Sequence, residues 1–213
     1  MSKKRVVLFD FDGVIMDTET IYTEFWDDQG KKYLNIENFG KIVKGRTDDV
    51  IYKKYFTDHQ HLIPLLDKEI DHLENTMPFN YIRGAEEFML HLKAEGVKIG
   101  MATSSNNRKM EIVFGQHPRL KELLDYIVTV DMVSHPKPNP ECYQKAMEYF
   151  NASPKETVIF EDSIYGLQAA RDAGAVVVGL TTTSTSDEIA HLSDYIIPDF
   201  DGITYDTIRE FLD

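Results

Sequence analysis

Cysteine is almost absent from this sequence, since Cys142 is the only one among 213 residues. A single cysteine cannot form an internal disulfide bond, and Cys142 lies in a segment with helical spacing rather than in a cluster of cysteine and histidine. These features favour a reducing compartment. We therefore expect a cytoplasmic protein.

Long apolar runs are also missing. Only four apolar residues, 6–9, separate the basic residues at positions 3–5 from Asp10. That number is too small for the core of a signal peptide or for a membrane span. We expect a protein that is not exported and has no membrane partner.

Basic residues are scarce relative to acidic ones. The chain has 23 lysines and arginines against 36 aspartates and glutamates, a formal net charge of −13. Because this charge repels polyanions, nucleic acid is not an expected partner. Small anionic ligands can still bind where basic groups, backbone amides or a cation gather locally. We expect a monomer or a weak homo-oligomer.

Five short apolar runs, each followed by a polar or glycine-containing turn, predict strands that are buried on both faces of a parallel sheet. Segments with helical spacing separate them, as in the apolar set Ala85, Phe88, Met89 and Leu92, which precedes Gly96. This alternation predicts an α/β, doubly wound, Rossmann-like fold. The predicted strands are 6–9, 97–103, 126–130, 157–161 and 175–180, and further helices are expected at about 140–150 and 163–173.

Between residues 18 and 79 the apolar strand-like runs disappear. Helical spacing at about 47–56 and 62–76 predicts a small all-helical cap, inserted after the first strand. We assign residues 18–79 to this cap and residues 1–17 and 80–213 to the α/β core.

Asp10 and Asp12 follow the first strand, with Gly13 available for a tight turn. Two carboxylates this close repel each other, and a hard cation such as Mg²⁺ relieves the repulsion. Asp10 is placed to attack phosphorus, and Asp12 to exchange a proton with the leaving or incoming oxygen. Asp162, with Glu161 beside it, is the natural further metal ligand.

Thr103, Lys137 and the pair Glu161–Asp162 follow other predicted strands. Ligands of open α/β sheets bind beyond the carboxyl ends of the strands, so these groups should meet Asp10 at one edge. Taken singly, each has an ordinary structural explanation: a turn at Asp10–Gly13, a capping hydroxyl at Thr103, a solvated lysine, or a helix cap at 161–163. Their common position after strands favours a site.

These motifs resemble those of the haloacid dehalogenase superfamily, in particular its branch of β-phosphoglucomutase-like and sugar-phosphate phosphatases with a helical cap. The resemblance covers nearly the whole chain. The dehalogenases of this superfamily lack a carboxylate at the position of Asp12 and use no metal. Because Asp12 is present, carbon–halogen cleavage is not expected. The matching segments are 10–19, 101–107, 137–140 and 160–166.

The resemblance implies that Asp10 is the nucleophile and a Mg²⁺ ligand, and that Asp12 is the general acid and base whose backbone carbonyl also binds Mg²⁺. Asp162 is implied as the other metal ligand, with Glu161 in support. The groups implied to hold the transferring phosphoryl group are Thr103, the Ser104 amide and Lys137, with Asn107 nearby as a further substrate-binding residue.

In the cap, the segment 43–47 resembles the substrate loop of the family, and Lys44 or Arg46 is a candidate to bind the rest of the substrate. Tyr22 takes the place of a histidine that helps to hold the general acid in the mutases, and no arginine falls at the position that a mutase uses. These departures favour hydrolysis of a small phosphorylated substrate, and we expect a sugar phosphate. The alternatives are a β-phosphoglucomutase, an inorganic pyrophosphatase and a non-catalytic regulatory module.

Overall fold

A parallel β-sheet forms the centre of the molecule in the computed structural model, which describes residues 5–212. Its six strands are ordered β3-β2-β1-β4-β5-β6, with helices on both faces. The predicted α/β, doubly wound fold is therefore confirmed. The strands are β1 (Val6–Phe9), β2 (Lys98–Ala102), β3 (Tyr126–Val128), β4 (Thr157–Glu161), β5 (Val176–Leu180) and β6 (Tyr195–Ile197).

Strand β1 lies in the middle of this sheet, between β2 and β4. Phe9 is in register with Met101 of β2 and with Phe160 of β4. All four residues of β1 are buried because helices cover both faces, which explains why the strand is a continuous apolar run. The central position places the residue after Phe9 in the middle of the sheet edge.

The predicted strands 97–103 and 175–180 differ from β2 and β5 only by one residue at one or both ends, and two larger differences remain. The third strand ends at Val128 rather than at residue 130, because Val130 begins a 3₁₀ turn, Val130–Met132, and donates its amide to the carbonyl of Ser105. Strand β6 was not predicted. It has only three residues before Pro198, too few to establish a period of two.

The helices form one layer on each face of the sheet. One face packs against α5, α6, α7 and α11, and the other against α8, α9 and α10. Within residues 5–212, no helix combines the length and the apolar character needed to cross a membrane. These helices are α5 (Ala85–Ala94), α6 (Asn107–Gln116), α7 (Pro118–Leu123), α8 (Glu141–Phe150), α9 (Ile164–Asp172), α10 (Ser186–Ile189) and α11 (Tyr205–Leu212).

The segment between β1 and α5 is helical, and we call it the helical insertion. Its apolar side chains form a separate core around Trp26, whose ring contacts Phe39, Tyr52 and Phe56 edge-on or tilted. The insertion therefore has its own packing, apart from that of the sheet. Its helices are α1 (Glu19–Gln29), continued by a π-helical turn (Gly30–Leu34), α2 (Phe39–Val43), α3 (Asp48–Tyr55) and α4 (Ile63–Thr76), with a 3₁₀ turn (Thr57–Leu62) before α4.

Two chain segments, which we call the neck, connect the helical insertion to the sheet. Met16 forms an antiparallel bridge with Tyr81, and the amide of Asp17 donates to the carbonyl of Asn80 at 2.8 Å. The amide of Ile82 donates to Ile15 at 2.9 Å. Hydrogen bonding between the outgoing and returning segments holds the insertion above the carboxyl end of β1.

Candidate active site

A cavity of ≈ 520 Å³ lies between the carboxyl edge of the sheet and the helical insertion. Asp10 follows β1, Asp162 follows β4, and Lys137 lies in the loop after β3. All three line the cavity, as expected for side chains that follow parallel strands. Thus residues more than 120 positions apart in the sequence share one site.

Lys137 is the basic group at the floor of the cavity. Its ammonium donates to Asp10 Oδ1 at 2.8 Å, to Glu161 Oε1 at 2.6 Å and to the carbonyl of Ala102 at 3.0 Å. Although burial lowers the pKa of Lys137, the charges of Asp10 and Glu161 outweigh burial and raise it well above its usual range. The lysine is therefore cationic wherever the protein is folded near neutrality.

Asp10 is nearly buried beside this ammonium. Burial raises the pKa of its carboxyl to about 7; Lys137 opposes that change, whereas Glu161 and Asp12 add to it. A cation bound at these carboxylates would lower the pKa and favour the ionised form. One oxygen of Asp10 is already held by Lys137, which fixes the direction in which the carboxylate faces the cavity.

Glu161 supports its neighbours instead of facing the cavity. Its Oε1 accepts from Lys137 and from the Tyr143 hydroxyl at 3.0 Å, and its Oε2 accepts from the amides of Asp162 and Ser163 at 2.9 and 3.1 Å and from the Ser163 hydroxyl at 3.2 Å. Five donors occupy the lone pairs of this fully buried carboxylate. Its contacts orient both Lys137 and the backbone that carries Asp162.

Asp162 has the opposite environment. It is 1% exposed, and neither carboxylate oxygen accepts a hydrogen bond from any residue in the range 5–212. Burial raises its pKa well above the usual range, and the negative charges of Glu161, Glu19 and Asp10 raise it further. The nearby Thr183 hydroxyl opposes this rise in pKa only in part. A bare buried carboxylate is costly unless a cation or proton satisfies it.

The donor set fits a divalent cation. Asp10, Glu161 and Asp162 each place a carboxylate oxygen within 4.8 Å of the others. Since the oxygens of Glu161 are already used, Asp10 and Asp162 are the available ligands. Hard oxygen ligands of this kind suit Mg²⁺ or Ca²⁺.

Gly13 allows the turn after β1 to approach Asp162. Its φ of +74° lies in the left-handed region, and a β-carbon there would stand 1.9 Å from Asp162 Oδ2. A side chain at this position is therefore excluded by both backbone conformation and space. The carbonyl of Gly13 also accepts from the Thr182 hydroxyl at 2.6 Å.

Asp12 is held by three side chains. Lys109 Nζ lies 2.7 Å from both carboxylate oxygens, the Thr18 hydroxyl donates to Oδ1 at 2.5 Å and the Ser105 hydroxyl donates to Oδ2 at 2.8 Å. Burial raises the pKa of Asp12, but the charge and hydrogen bonds of Lys109 and the two hydroxyl donors outweigh burial and lower it.

Sequence reasoning missed Lys109. A signal was present, because Lys109 precedes Met110 and Val113 on the buried face of α6, where a lysine is unusual. Tyr22, which we predicted at the histidine position of the mutases, makes no hydrogen bond to Asp12 within the described part of the chain. Its ring instead covers the Lys109 ammonium, with 4.5 Å to the ring centroid, and its hydroxyl donates to Glu74 at 2.9 Å.

Of the three site residues predicted in the loop after β2, one faces the cavity and two do not. Ser104 lines the cavity, whereas Thr103 and Asn107 are not among its lining residues. Thr103 Oγ1 accepts from the amide of Ser105 at 3.0 Å, and Asn107 Oδ1 accepts from the Thr129 hydroxyl at 2.8 Å. Both residues shape the loop that presents Ser104 to the cavity.

Lys44 and Arg46 also line the cavity, and both contact loops at the sheet edge. Lys44 Nζ donates to the carbonyl of Thr183 at 3.1 Å and lies 3.9 Å from Glu19. The guanidinium of Arg46 donates to the Tyr165 hydroxyl at 2.6 Å. The two basic side chains thus connect the helical insertion to the sheet.

Several carboxylates of the helical insertion line the cavity, and we call three of them, Asp48, Asp67 and Glu74, the acidic wall. Burial raises the pKa of Asp48 to about 7, and Glu74 and Asp67 add to that rise. Tyr52 donates to Asp67 at 2.9 Å. In residues 5–212 no hydrogen bond or ion pair reaches the Asp48 carboxylate, so it remains open to the cavity.

A parallel sheet with a carboxylate cluster and a buried lysine at one edge, beneath a helical insertion, places the protein among the α/β hydrolytic enzymes. Residues 7–180 match the family described as haloacid dehalogenase-like hydrolase. Because the match covers most of the chain, the protein belongs to that family, which confirms the predicted resemblance.

Similar proteins include phosphatases. The chain is 28% identical to validoxylamine A 7′-phosphate phosphatase of Streptomyces hygroscopicus subsp. limoneus, over 94% of this chain and 96% of the relative. It is 27% identical to the pyrophosphatase PpaX of Bacillus mycoides, over 92% and 93% of the two chains.

Solved structures share the fold. A haloacid dehalogenase-type hydrolase of family IA, variant 3, from Entamoeba histolytica superposes with a TM-score of 0.84 at 24% identity, over 98% of this chain and 99% of that one. A putative β-phosphoglucomutase from Thermotoga maritima superposes with a TM-score of 0.70 at 24% identity, over 91% of this chain and 94% of that one. A β-phosphoglucomutase from Clostridium difficile superposes with a TM-score of 0.78 at 19% identity, over 98% and 97% of the two chains. At these identities the likeness concerns the fold alone.

Proposed function

We propose that the protein is a Mg²⁺-dependent phosphatase that hydrolyses a small phosphorylated sugar or related metabolite through a phospho-aspartate at Asp10. The observation that carries this proposal is the pairing of Asp10 with Lys137 at 2.8 Å, next to the unpartnered carboxylate of Asp162, on the floor of the cavity. The named relatives at about 28% identity, which are phosphatases, support the reaction class.

In the first step, a carboxylate oxygen of Asp10 attacks the phosphorus of the substrate. The new O–P bond forms as the bond between phosphorus and the leaving oxygen breaks, and Asp12 in its protonated form supplies the proton that the leaving alkoxide requires. Burial raises the pKa of Asp12, but Lys109 and the two hydroxyl donors outweigh burial and lower it, so Asp12 takes this proton from a singly protonated phosphate ester as the ester binds. Lys137, together with the backbone at Ser104, balances negative charge on the phosphoryl oxygens. The products are the free alcohol and an acyl phosphate on Asp10.

In the second step, water attacks the same phosphorus. Asp12, now a carboxylate, accepts a proton from this water as the bond between Asp10 and phosphorus breaks. Inorganic phosphate leaves, and Asp10 returns to its carboxylate form while Asp12 is again protonated. The cycle balances with one water consumed and no other co-reactant.

Asp10, Asp162 and the backbone carbonyl of Asp12 are the groups that we propose hold Mg²⁺. When bound, the ion supplies charge neutralisation for the approach of a phosphoryl group to two carboxylates. The bare buried oxygens of Asp162 support this assignment. Glu161 holds the loop of Asp162 in place through its hydrogen bonds to the backbone amides.

We propose that the helical insertion, residues 18–79, is a cap that selects the leaving group. The acidic wall lies on the side of the cavity that the leaving group would occupy. The basic Lys44 donates to the Thr183 carbonyl. Arg46 donates to the Tyr165 hydroxyl, and its buried Nε has no hydrogen-bond partner in the part of the chain that the structure describes. Carboxylates accept hydrogen bonds from hydroxyl groups and repel a second phosphate. A hydroxyl-rich leaving group therefore suits this wall better than a phosphate does.

Pyrophosphatase activity is the second candidate because one of the named relatives is a pyrophosphatase. A mutase needs to hold a bisphosphate intermediate, so the acidic wall counts against it in the same way as against pyrophosphate. A phosphate leaving group would reach the wall only with its charge offset by a cation. A sugar phosphatase and a pyrophosphatase therefore differ in the charge of the leaving group that the cap must accept.

The test is a substrate panel with Mg²⁺ that contains sugar phosphates, β-glucose 1-phosphate and pyrophosphate, with release of phosphate and isomerisation both measured. Phosphate release from sugar phosphates, lost in Asp10→Asn but kept in the exposed control Asp187→Asn, is the expected result. Faster hydrolysis of pyrophosphate would favour the second candidate, and isomerisation without net release would favour a mutase. No release from any ester above the Asp10→Asn level, and no trapping of a beryllium fluoride adduct, would overturn the proposal.

A further inference from the structure

Lys109 is a buried cation to which the mechanism above gives no task. It lies on the first turn of α6, with a relative exposure of 4%. Burying an ammonium is costly unless it is paired. Its only ion-pair partner within residues 5–212 is Asp12, and the contact is bidentate at 2.7 Å to each oxygen.

The bidentate contact restrains how Asp12 can turn. The Thr18 and Ser105 hydroxyls each hold one of the two oxygens, whereas Lys109 contacts both. Rotation of the carboxylate group would separate the ammonium from at least one oxygen. Of the three side chains in the described part of the chain that contact Asp12, Lys109 alone is charged, and hydrogen bonds between charged groups are the stronger ones.

Lys109 also contacts the helical insertion. Its ammonium lies 4.5 Å from the ring centroid of Tyr22, on α1, and 5.3 Å from that of Phe11. Tyr22 in turn donates to Glu74, on α4. An ammonium over an aromatic ring is attracted to the face of the ring, so the lysine links the core, the turn after β1 and the insertion.

We propose that Lys109 is a positioning residue that holds the Asp12 carboxylate in the orientation needed for proton transfer. This inference rests on the proposed phosphatase function. Tyr22, on the insertion, makes no hydrogen bond to Asp12 among the described residues. Lys109, on the core, holds Asp12 instead. The covering ring of Tyr22 keeps the lysine directed at Asp12 while the insertion lies over the site.

The first test compares Lys109→Met, which keeps the length of the side chain but removes its charge, with Lys109→Arg. The substrates are the best sugar phosphate of the panel, whose alcohol needs a proton to leave, and p-nitrophenyl phosphate, whose phenolate does not. In single-turnover reactions Lys109→Met should slow departure of the sugar about 100-fold, and departure of p-nitrophenolate less than tenfold. Lys109→Arg should recover part of the loss, and the exposed control Lys121→Met should match the parent.

General damage to the site would slow both esters by the same factor, and that result would overturn the proposal. A second test repeats Lys109→Met in an Asp12→Asn background, with p-nitrophenyl phosphate as the substrate. If Lys109 acts through Asp12, the second substitution causes no further loss. Additive losses would contradict the inference and indicate a direct contact with the substrate.

A structural measurement separates this inference from the proposed function. Crystal structures of the metal-free parent and of Lys109→Met, or of Lys109→Gln if the first variant does not fold, would show the Asp12 side chain directly. We expect it to leave its present position when the ammonium is removed. An unmoved Asp12 would overturn the positioning role, whereas absence of phosphatase activity in the parent would overturn only the proposed function.

Discussion

Gly166 lies against the carboxylate of Glu161 so closely that a β-carbon on the glycine would stand 1.7 Å from Oε1. Glu161 is the residue that orients both Lys137 and the backbone of Asp162. The first turn of α9 and the end of β4 therefore share a contact that only glycine permits. A substitution there acts on the site without changing any residue proposed to touch the substrate.

We expect Gly166→Ala to displace Glu161, because the nearest atoms belong to a carboxylate that five donors hold in place. Overpacking of this kind costs about 1–3 kcal/mol, and phosphatase activity should fall with it. The matched control is Gly115→Ala in α6, where an added β-carbon meets no atom within 4 Å. That control should stabilise the protein by about 0.5–1 kcal/mol. Thermal unfolding measures the stability of both variants, and phosphate release measures their activity. Equal behaviour of the two variants would contradict the close contact between Gly166 and Glu161.

Asp162 and Glu161 should respond in opposite ways to loss of charge. Asp162→Asn removes a bare buried carboxylate, so the metal-free protein should be no less stable than the parent, but stabilisation by Mg²⁺ should disappear. Glu161→Gln leaves buried donors without an acceptor and should cost about 1–3 kcal/mol without metal. Thermal unfolding with EDTA and with Mg²⁺ measures both effects. An Asp162→Asn protein that Mg²⁺ stabilises as much as the parent would refute the ligand assignment.

Lys137→Met should abolish activity, with a loss of at least about 1000-fold, because it removes the cation proposed to contact the phosphoryl group. It also leaves Asp10 and Glu161 as buried charges without their partner, which costs about 3–5 kcal/mol. Phosphate release and thermal unfolding in saturating Mg²⁺ are the measurements. Lys155→Met, at an exposed lysine, is the control and should change neither. Substantial activity in folded Lys137→Met protein would show that the lysine is not part of the reaction.

The stability of the metal-free protein should fall as the pH rises from about 4 to about 7. Burial raises the pKa of Asp10, Glu19 and Asp48 to about 7 in each case, so the folded state binds protons that the unfolded chain has already released. Their favourable contribution is complete below the unfolded pKa of about 4 and is lost as the pH passes through about 7. The melting temperature in EDTA should therefore be lower at pH 8 than at pH 5.

Asp48 offers a test of this effect outside the proposed metal site. Asp48→Asn should raise the melting temperature at pH 8 by ~2–4 °C, corresponding to about 1 kcal/mol, and change it little at pH 5. Asp49→Asn, on the same turn of α3 but exposed to solvent, is the matched control and should show no such difference. A stabilisation by Asp48→Asn that is equal at the two pH values would argue against an unfavourable charge on Asp48.

The sheet and the floor of the site follow from local patterns in the sequence. Strands β1 and β4 are apolar runs with polar residues directly after them, because both faces of a central strand are covered and its carboxyl end is open to the site. Asp10, Lys137 and Asp162 could therefore be placed together before any coordinates were known. The short β6 lacked this signal, since three residues do not define a period.

Contacts that depend on how two elements pack could not be predicted in the same way. Lys109 reaches Asp12 across 97 positions of sequence, and its direction depends on the rotation of α6 against the turn after β1. The cap residues Lys44 and Arg46 meet partners more than 100 positions away, in loops with no periodic pattern. The sequence locates such residues on their helices or loops but does not give their partners.

The neck has a consequence for how such a protein can be altered. Because the amide of Asp17 lies 2.8 Å from the carbonyl of Asn80, the points at which the chain leaves and rejoins the core are already adjacent. An insertion with adjacent ends can be lengthened, shortened or exchanged with little change in the path of the core. The sheet edge can thus keep its residues while a different segment is spliced between the same two positions, which makes this junction the natural place to exchange the insertion between relatives and ask whether specificity moves with it.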